Sequence, residues 1–201
     1  MSILKCQTKI LRTGKFFSIC IMLICSFFAN GDNGEDPEEL AKTFLTISKN
    51  YTEIEPVIDI IIKNRSTFDA LPSIMPINPS DRPVITSSFG NRKDPITGNI
   101  RYHKGIDLKA GYGVMIYATA NGIVSVTEIR GGYGKCIIIQ HPFGFSTLYA
   151  HLSEYYVTKG EHVRKGQIIG FLGDTGRTTG AHLHYEVKKN NKNDNPLNYF
   201  L

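Results

Sequence analysis

Residues 178–189 read TTGAHLHYEVKK and set His182 and His184 two positions apart in a stretch patterned like a β-strand. Successive strand side chains point to opposite faces, so the two imidazoles share one face while Leu183 and Tyr185 take the other. Two adjacent imidazoles repel when both are charged, and a face built this way suits a bound cation. RYHKGIDLKA, residues 101–110, adds His103 and Asp107, a nitrogen and an oxygen donor of the kind zinc accepts. LYAHLS, residues 148–153, adds His151 at the end of another strand-like stretch. Taken singly each motif is weak, because a lone strand histidine is more often structural or solvated. Together in one short β-rich region they point to metal chemistry.

The elements that must position these residues read as short strands. His103 and Asp107 stand four apart, which on a helix would give one face. Gly105 lies between them and Ile106-Asp107-Leu108 continues like a strand, so the helical version is rejected. VMIYATANGIVSVTEI (114–129) reads as two strands joined by a hairpin turn at Asn121-Gly122. KCIIIQ and FSTLYAHL lie either side of His141-Pro142-Phe143-Gly144, and QIIGFLG and HLHYEVKK follow. Many short strands with glycine turns predict a mainly β fold, an antiparallel sandwich or open barrel, over residues 76–201. Four prolines within residues 71–83 mark its boundary.

Ahead of that boundary, residues 30–75 are expected to be a short helical spacer or regulatory segment. Asp36 reads as a helix cap, Pro37 as first-turn proline, and Glu38 and Glu39 as partners of the positive helix end. Leu40, Phe44, Ile47, Tyr51 and Ile54 follow at helical spacing, and Pro56 divides this helix from a second piece, VIDIII.

HKGID, LYAHLS and TGAHLHYEV, in this order, resemble the lysostaphin-type (LytM-like) zinc endopeptidases that cut bacterial peptidoglycan cross-links. The likeness runs over about residues 83–198, with supporting pieces in VITSSFGNRKDPITG, ATANGIVS, HVRKGQIIGFLGDTGRTTG and NPLNYF. The resemblance implies that His103, Asp107 and His184 bind one zinc per chain. It assigns His151 and His182 to catalysis, one as proton acceptor and the other as stabiliser of the oxyanion. Three protein ligands leave a fourth position for water, as a catalytic zinc requires. Tyr102, Tyr149 and Asn91, with Arg92 beside it, are expected to border the substrate groove. His141 and His162 match no functional position and are expected to be structural or exposed. Cys136 reads as a small buried hydrophobe.

The first 29 residues look like a targeting segment. Lys5, Lys9, Arg12 and Lys15 precede FFSICIMLICSFFA, an uncharged run short for a membrane span. A secretory signal is expected or, since Phe27 suits a cleavage site poorly, an uncleaved membrane anchor, with the body in the cell envelope on the periplasmic or wall-facing side. Without those four cations, nineteen basic residues face eighteen acidic ones, so the basic character gives little support to a nucleic-acid partner. The expected partners are peptidoglycan stem peptides or cross-bridges. The alternative is a catalytically silent relative that binds wall or activates another hydrolase. Such relatives lose ligands, whereas this chain keeps all five positions. A biotinyl- or lipoyl-type carrier lacks the displayed lysine it would need.

Overall fold

The computed structural model describes residues 36–94 and 97–201; the expected targeting segment lies outside the described residues. Among the described residues no helix is long and apolar enough to cross a membrane. The chain divides into two compact units, the second beginning at Arg65.

In the first unit, α1 (Pro37–Ile47) starts where its cap dictates: the Asp36 carboxylate accepts the Glu38 amide at 2.9 Å. The apolar periodicity predicts one helix as far as Ile54, but the helix stops at Ser48. The Ser48 hydroxyl turns back to the Phe44 carbonyl, and Asn50 caps a separate helix, α2 (Tyr51–Ile54), through the Glu53 amide. Short polar side chains competed successfully for the backbone inside an apolar stripe. A 3₁₀ turn over Glu55–Val57 leads into α3 (Ile58–Lys63), the second piece expected after Pro56.

The second unit opens with α4 (Arg65–Ala70). The proline-rich stretch predicts a boundary after residue 75, yet residues 65–73 are bonded to the strands that follow. Asn121 donates its amide to the Asp69 carbonyl at 2.7 Å. Lys165 Nζ donates to the carbonyls of Phe68 (2.8 Å) and Leu71 (3.2 Å) and to Ser73 Oγ. The same ammonium lies 3.4 Å above the Phe68 ring.

Among the described residues, twelve strands then follow: β1 (Val84–Ser87), β2 (Gly90–Lys93), β3 (Ile100–His103), β4 (Ile106–Lys109), β5 (Met115–Tyr117), β6 (Gly122–Ile129), β7 (Lys135–Gln140), β8 (Phe145–Tyr155), β9 (His162–Val163), β10 (Ile168–Leu172), β11 (Leu183–Lys189) and β12 (Lys192–Asp194). Their pairings are antiparallel. The main sheet runs β1-β4-β11-β8-β7-β6-β9, with β10 on β5 and β8, and β12 on β11. β2 and β3 form a separate hairpin. The mainly antiparallel β architecture and the preceding helical segment are those read from the sequence.

One pairing differs from expectation. β5 and β6 do not form a hairpin; β5 pairs with β10, and β6 with β7 and β9. Ala118, Thr119 and Ala120 between them are fully buried. Gly122 is required for a different reason than a turn: a Cβ there would lie 2.3 Å from the Gln140 carbonyl oxygen of the neighbouring strand. Close strand packing, rather than chain reversal, accounts for this glycine.

Strand alternation separates a core face from a site face. Leu183, Tyr185 and Val187 of β11 are fully buried, together with Ile106 and Leu108 of β4. The tyrosine hydroxyls on this side are satisfied internally: those of Tyr149 and Tyr185 meet Thr119 Oγ1 at 2.9 and 2.8 Å. Asp107, His184 and Glu186 occupy the other face, where Leu148, Ala150 and Cys136 form a small apolar cluster in adjoining strands. β8 pairs with β11 through Ala150 and with β10 from Leu152 onward. His151 sits at this handover with φ of 61°, the left-handed region.

Candidate metal centre

Three side chains from three strands converge. His103 ends β3, Asp107 lies within β4, and His184 is paired with Asp107 across the β4–β11 ladder. His103 Nε2 is 3.0 Å from His184 Nδ1 and 3.2 Å from Asp107 Oδ1, and His184 Nδ1 is 2.9 Å from the same Oδ1. Among the described residues these three could hold a metal ion. Ligand atoms about 2.0–2.1 Å from a tetrahedral zinc are roughly 3.3 Å apart, so the observed triangle is close to zinc's requirement.

The outward nitrogens decide which lone pairs face inward. His103 Nδ1 lies 2.9 Å from the Ser88 carbonyl oxygen, which can only accept, so Nδ1 carries the proton and Nε2 is bare. His184 Nε2 lies 3.1 Å from Glu186 Oε1, which fixes Nε2–H and bares Nδ1. Two lone pairs and a carboxylate oxygen therefore meet at one point, an arrangement that only a cation or an extra proton satisfies. Burial penalises a charge on His184, but its bonds to Asp107 and Glu186 outweigh this and raise its proton affinity. Burial would likewise raise the Asp107 carboxyl; the adjoining His103 and His184 imidazoles, which donate to Oδ1 once either takes up the extra proton, instead hold it well below the usual carboxylate range. A place that favours positive charge this strongly suits a divalent ion.

Each inward-facing group has an outer partner. Arg92 donates to Asp107 Oδ2 at 3.1 Å, leaving Oδ1 for the centre. Glu186 is fully buried and also accepts from Tyr133 Oη (2.7 Å) and Asn193 Nδ2 (2.8 Å). Burial pushes this carboxyl up, and the bonds from His184 and Tyr133 bring it down to about 2. Glu186 is not among the residues expected from the sequence, although its period-two alternation with His182 and His184 signals the shared face.

Two further imidazoles stand beside the triangle. His151 Nδ1 donates to the Thr175 carbonyl at 2.8 Å, and His182 Nδ1 donates to the Gly180 carbonyl at 2.8 Å. Both therefore carry the proton on Nδ1 and leave Nε2 bare. Their rings are 4.7 Å apart, and His182 Nε2 is 3.7 Å from Asp107 Oδ1. Burial, reinforced by the nearby imidazoles and only partly offset by the Thr175 bond, pushes His151 down to about 4. All five residues singled out in the sequence line one cleft of about 1110 Å³.

The sequence matches the model of peptidase family M23 over residues 101–196. It is 32% identical to a mutant catalytic domain of the prophage-encoded M23 protein EnpA from Enterococcus faecalis, covering 57% of this chain and 88% of that one with a TM-score of 0.51. The chain belongs to peptidase family M23. It is 45% identical over 117 residues to the DD-carboxypeptidase/endopeptidase Mpg of Neisseria meningitidis serogroup B, which covers 58% of this chain and 27% of that relative. The chain thus matches only about a quarter of that protein's length. A zinc-containing peptidase from Vibrio cholerae is 35% identical, with a TM-score of 0.55 over 65% of this chain and 39% of that one.

The remaining expectations divide. Asn91 and Tyr102, facing each other across the β2–β3 hairpin, line the cleft; Tyr102 is exposed and sits edge-on to Phe89 at 5.4 Å. Tyr149 does not border the groove. It is fully buried on the core face, with its hydroxyl on Thr119 and Thr147. Regular alternation would give Tyr149 and His151 the same face; the left-handed residue at 151 turns the histidine to the other. His141 is structural, bonded to the Asn121 carbonyl (2.8 Å) and Thr147 Oγ1 (2.7 Å), and His162 is exposed.

Proposed function

We propose that this M23 chain is a zinc endopeptidase that hydrolyses peptide cross-links of bacterial peptidoglycan. The observation that carries the reading is the triangle of His103 Nε2, Asp107 Oδ1 and His184 Nδ1, with every edge between 2.9 and 3.2 Å and both imidazoles oriented by outer partners. In this reading those three residues are the metal ligands. When bound, zinc supplies Lewis acidity, polarising a carbonyl and making water acidic near neutral pH.

The chain's own part is to hold substrate and move protons. His151 and His182, anchored through Nδ1, present Nε2 toward the same space beside the ligands. One Nε2 accepts the proton released as water attacks the scissile carbonyl, and later returns it to the leaving amine. A protonated Nε2 on the other donates to the oxygen on which negative charge builds. Tyr102 and Asn91 on the β2–β3 wall are positioned to contact the peptide. The DD-endopeptidase activity named for relatives favours a wall peptide over other substrates.

In the same reading, residues 1–29 direct the protein to the envelope as signal or anchor, and the helical residues that follow act as a spacer ahead of the catalytic region. All five site positions are kept, which disfavours a silent wall-binding role. The test is digestion of purified peptidoglycan by the full chain, with fragments identified by mass spectrometry and bound metal by elemental analysis. About one zinc per chain, and conversion of cross-linked fragments to monomers that stops after chelation, are the expected outcomes. Undiminished cleavage by metal-free, folded protein would refute the mechanism; intact cross-links after treatment with the zinc-loaded protein would refute the activity.

A further inference from the structure

His151 departs from regular strand geometry, and its surroundings indicate what holds it there. Its φ of 61° is left-handed, a region a β-strand histidine adopts only when neighbours over-determine it. The ladders on β8 change at this point: β7 jumps from pairing at Ile137–Tyr149 to Lys135–Leu152, the β11 ladder ends at Ala150, and the β10 ladder begins at Leu152. A bulge of this kind re-aims a side chain, but it also leaves ladder groups without their regular partners.

We propose that Thr175 is the positioning residue that fixes His151 for proton transfer; the inference rests on His151 being catalytic, as read above. Thr175 acts through two groups. Its hydroxyl donates to the Leu152 carbonyl at 2.7 Å and accepts the Lys135 amide at 2.9 Å, filling the gap that the bulge opens between β7 and β8. Its carbonyl accepts Nδ1–H of His151 at 2.8 Å, which sets the tautomer and leaves Nε2 bare. A single residue thereby closes the irregularity that turns His151 toward the site and orients the ring once it is turned.

The peptide carrying Thr175 is itself locked. Gly134 and Gly176 interdigitate: a Cβ on Gly134 would lie 2.4 Å from the Thr175 carbonyl, and one on Gly176 would lie 2.3 Å from the Gly134 amide nitrogen. Arg177 adds a backbone bond from its amide to the Gly132 carbonyl at 2.9 Å. The loops before β7 and after β10 thus form one platform under His151, and the Thr175 hydroxyl is its link to the strands.

The experiment compares zinc-loaded full-length protein with Thr175→Val, Thr175→Ser and His151→Ala. Zinc content, kcat and KM on a cross-linked muropeptide, and the ¹⁵N tautomer signature of His151 are read in each. Thr175→Val is expected to retain zinc and KM while kcat falls about tenfold or more, with His151 losing its uniform Nδ1–H signature. Thr175→Ser is expected to recover most of the rate. A folded Thr175→Val protein with undiminished kcat, or a serine variant no better than valine, overturns the proposal. Should the valine variant not fold, the wild-type tautomer decides: Nε2–H on His151 overturns it and Nδ1–H sustains it. An active His151→Ala protein overturns the catalytic reading itself; an inactive one beside an active Thr175→Val overturns only the role of Thr175.

Discussion

His184 and His182 share a strand face yet have different surroundings, and their substitutions should separate accordingly. His184 is wedged between Asp107 and Glu186, whereas His182 is held by the Gly180 carbonyl at the edge of the triangle. His184→Ala is expected to lose zinc; His182→Ala should retain it and lose hydrolysis, as elemental analysis and muropeptide assays would report. Equal zinc loss in both would overturn the division of roles, and loss in His182→Ala alone would exchange them. Glu186 offers a finer test. Glu186→Gln weakens the acceptor that fixes His184 Nε2–H, so zinc affinity should fall by about 10–100-fold in a chelator competition. The five residues were legible because period-two spacing puts imidazoles on one face and because their order along the chain is distinctive. Glu186 was equally legible by that rule, but a glutamate beside lysines also reads as an ordinary solvated residue. Tyr149 was misplaced because nothing in LYAHLS announces a left-handed residue at position 151.

At the scale of elements, most strands were visible as alternating apolar runs between glycines, while their partners were not. Asn121-Gly122 looks like a hairpin turn, but the buried Ala118-Thr119-Ala120 crossing sends β5 and β6 to different neighbours. Glycines needed for close backbone approach carry the same one-letter signature as glycines needed for turns. Gly105 is a case with a measurable consequence. A Cβ there would fall 2.1 Å from the Tyr185 carbonyl oxygen, forcing β4 and β11 apart beside Asp107 and His184. Gly105→Ala is therefore expected to destabilise the fold by about 1–3 kcal/mol, read from urea unfolding, and to weaken zinc binding in the same preparation. Full stability with normal zinc affinity would show that the strands can yield without disturbing the ligands.

For the molecule as a whole, acid sensitivity has an identifiable source away from the metal centre. Burial pushes His141 from 6.5 down to about 4, outweighing its bond to the Asn121 carbonyl. Between those values the unfolded chain binds a proton that the folded chain refuses, so stability falls as pH drops through this window. At pH 5 the loss is about 2 kcal/mol relative to neutral pH. Comparing urea midpoints of wild type and His141→Asn at pH 7 and pH 5 isolates this contribution: the variant should show the smaller decline. An equal decline would move the origin to other groups.

The ammonium of Lys165 carries a practical lesson for anyone trimming this polypeptide. Cutting at the proline-rich stretch, where composition alone suggests a clean division, would remove Phe68, Leu71 and Ser73 and with them the acceptors and the ring that shelter this cation. A minimal hydrolytic fragment should therefore retain the short helix starting at Arg65. The helix Arg65–Ala70 holds none of the five site residues, yet in the proposed endopeptidase it is expected to mark where the shortest self-sufficient fragment begins.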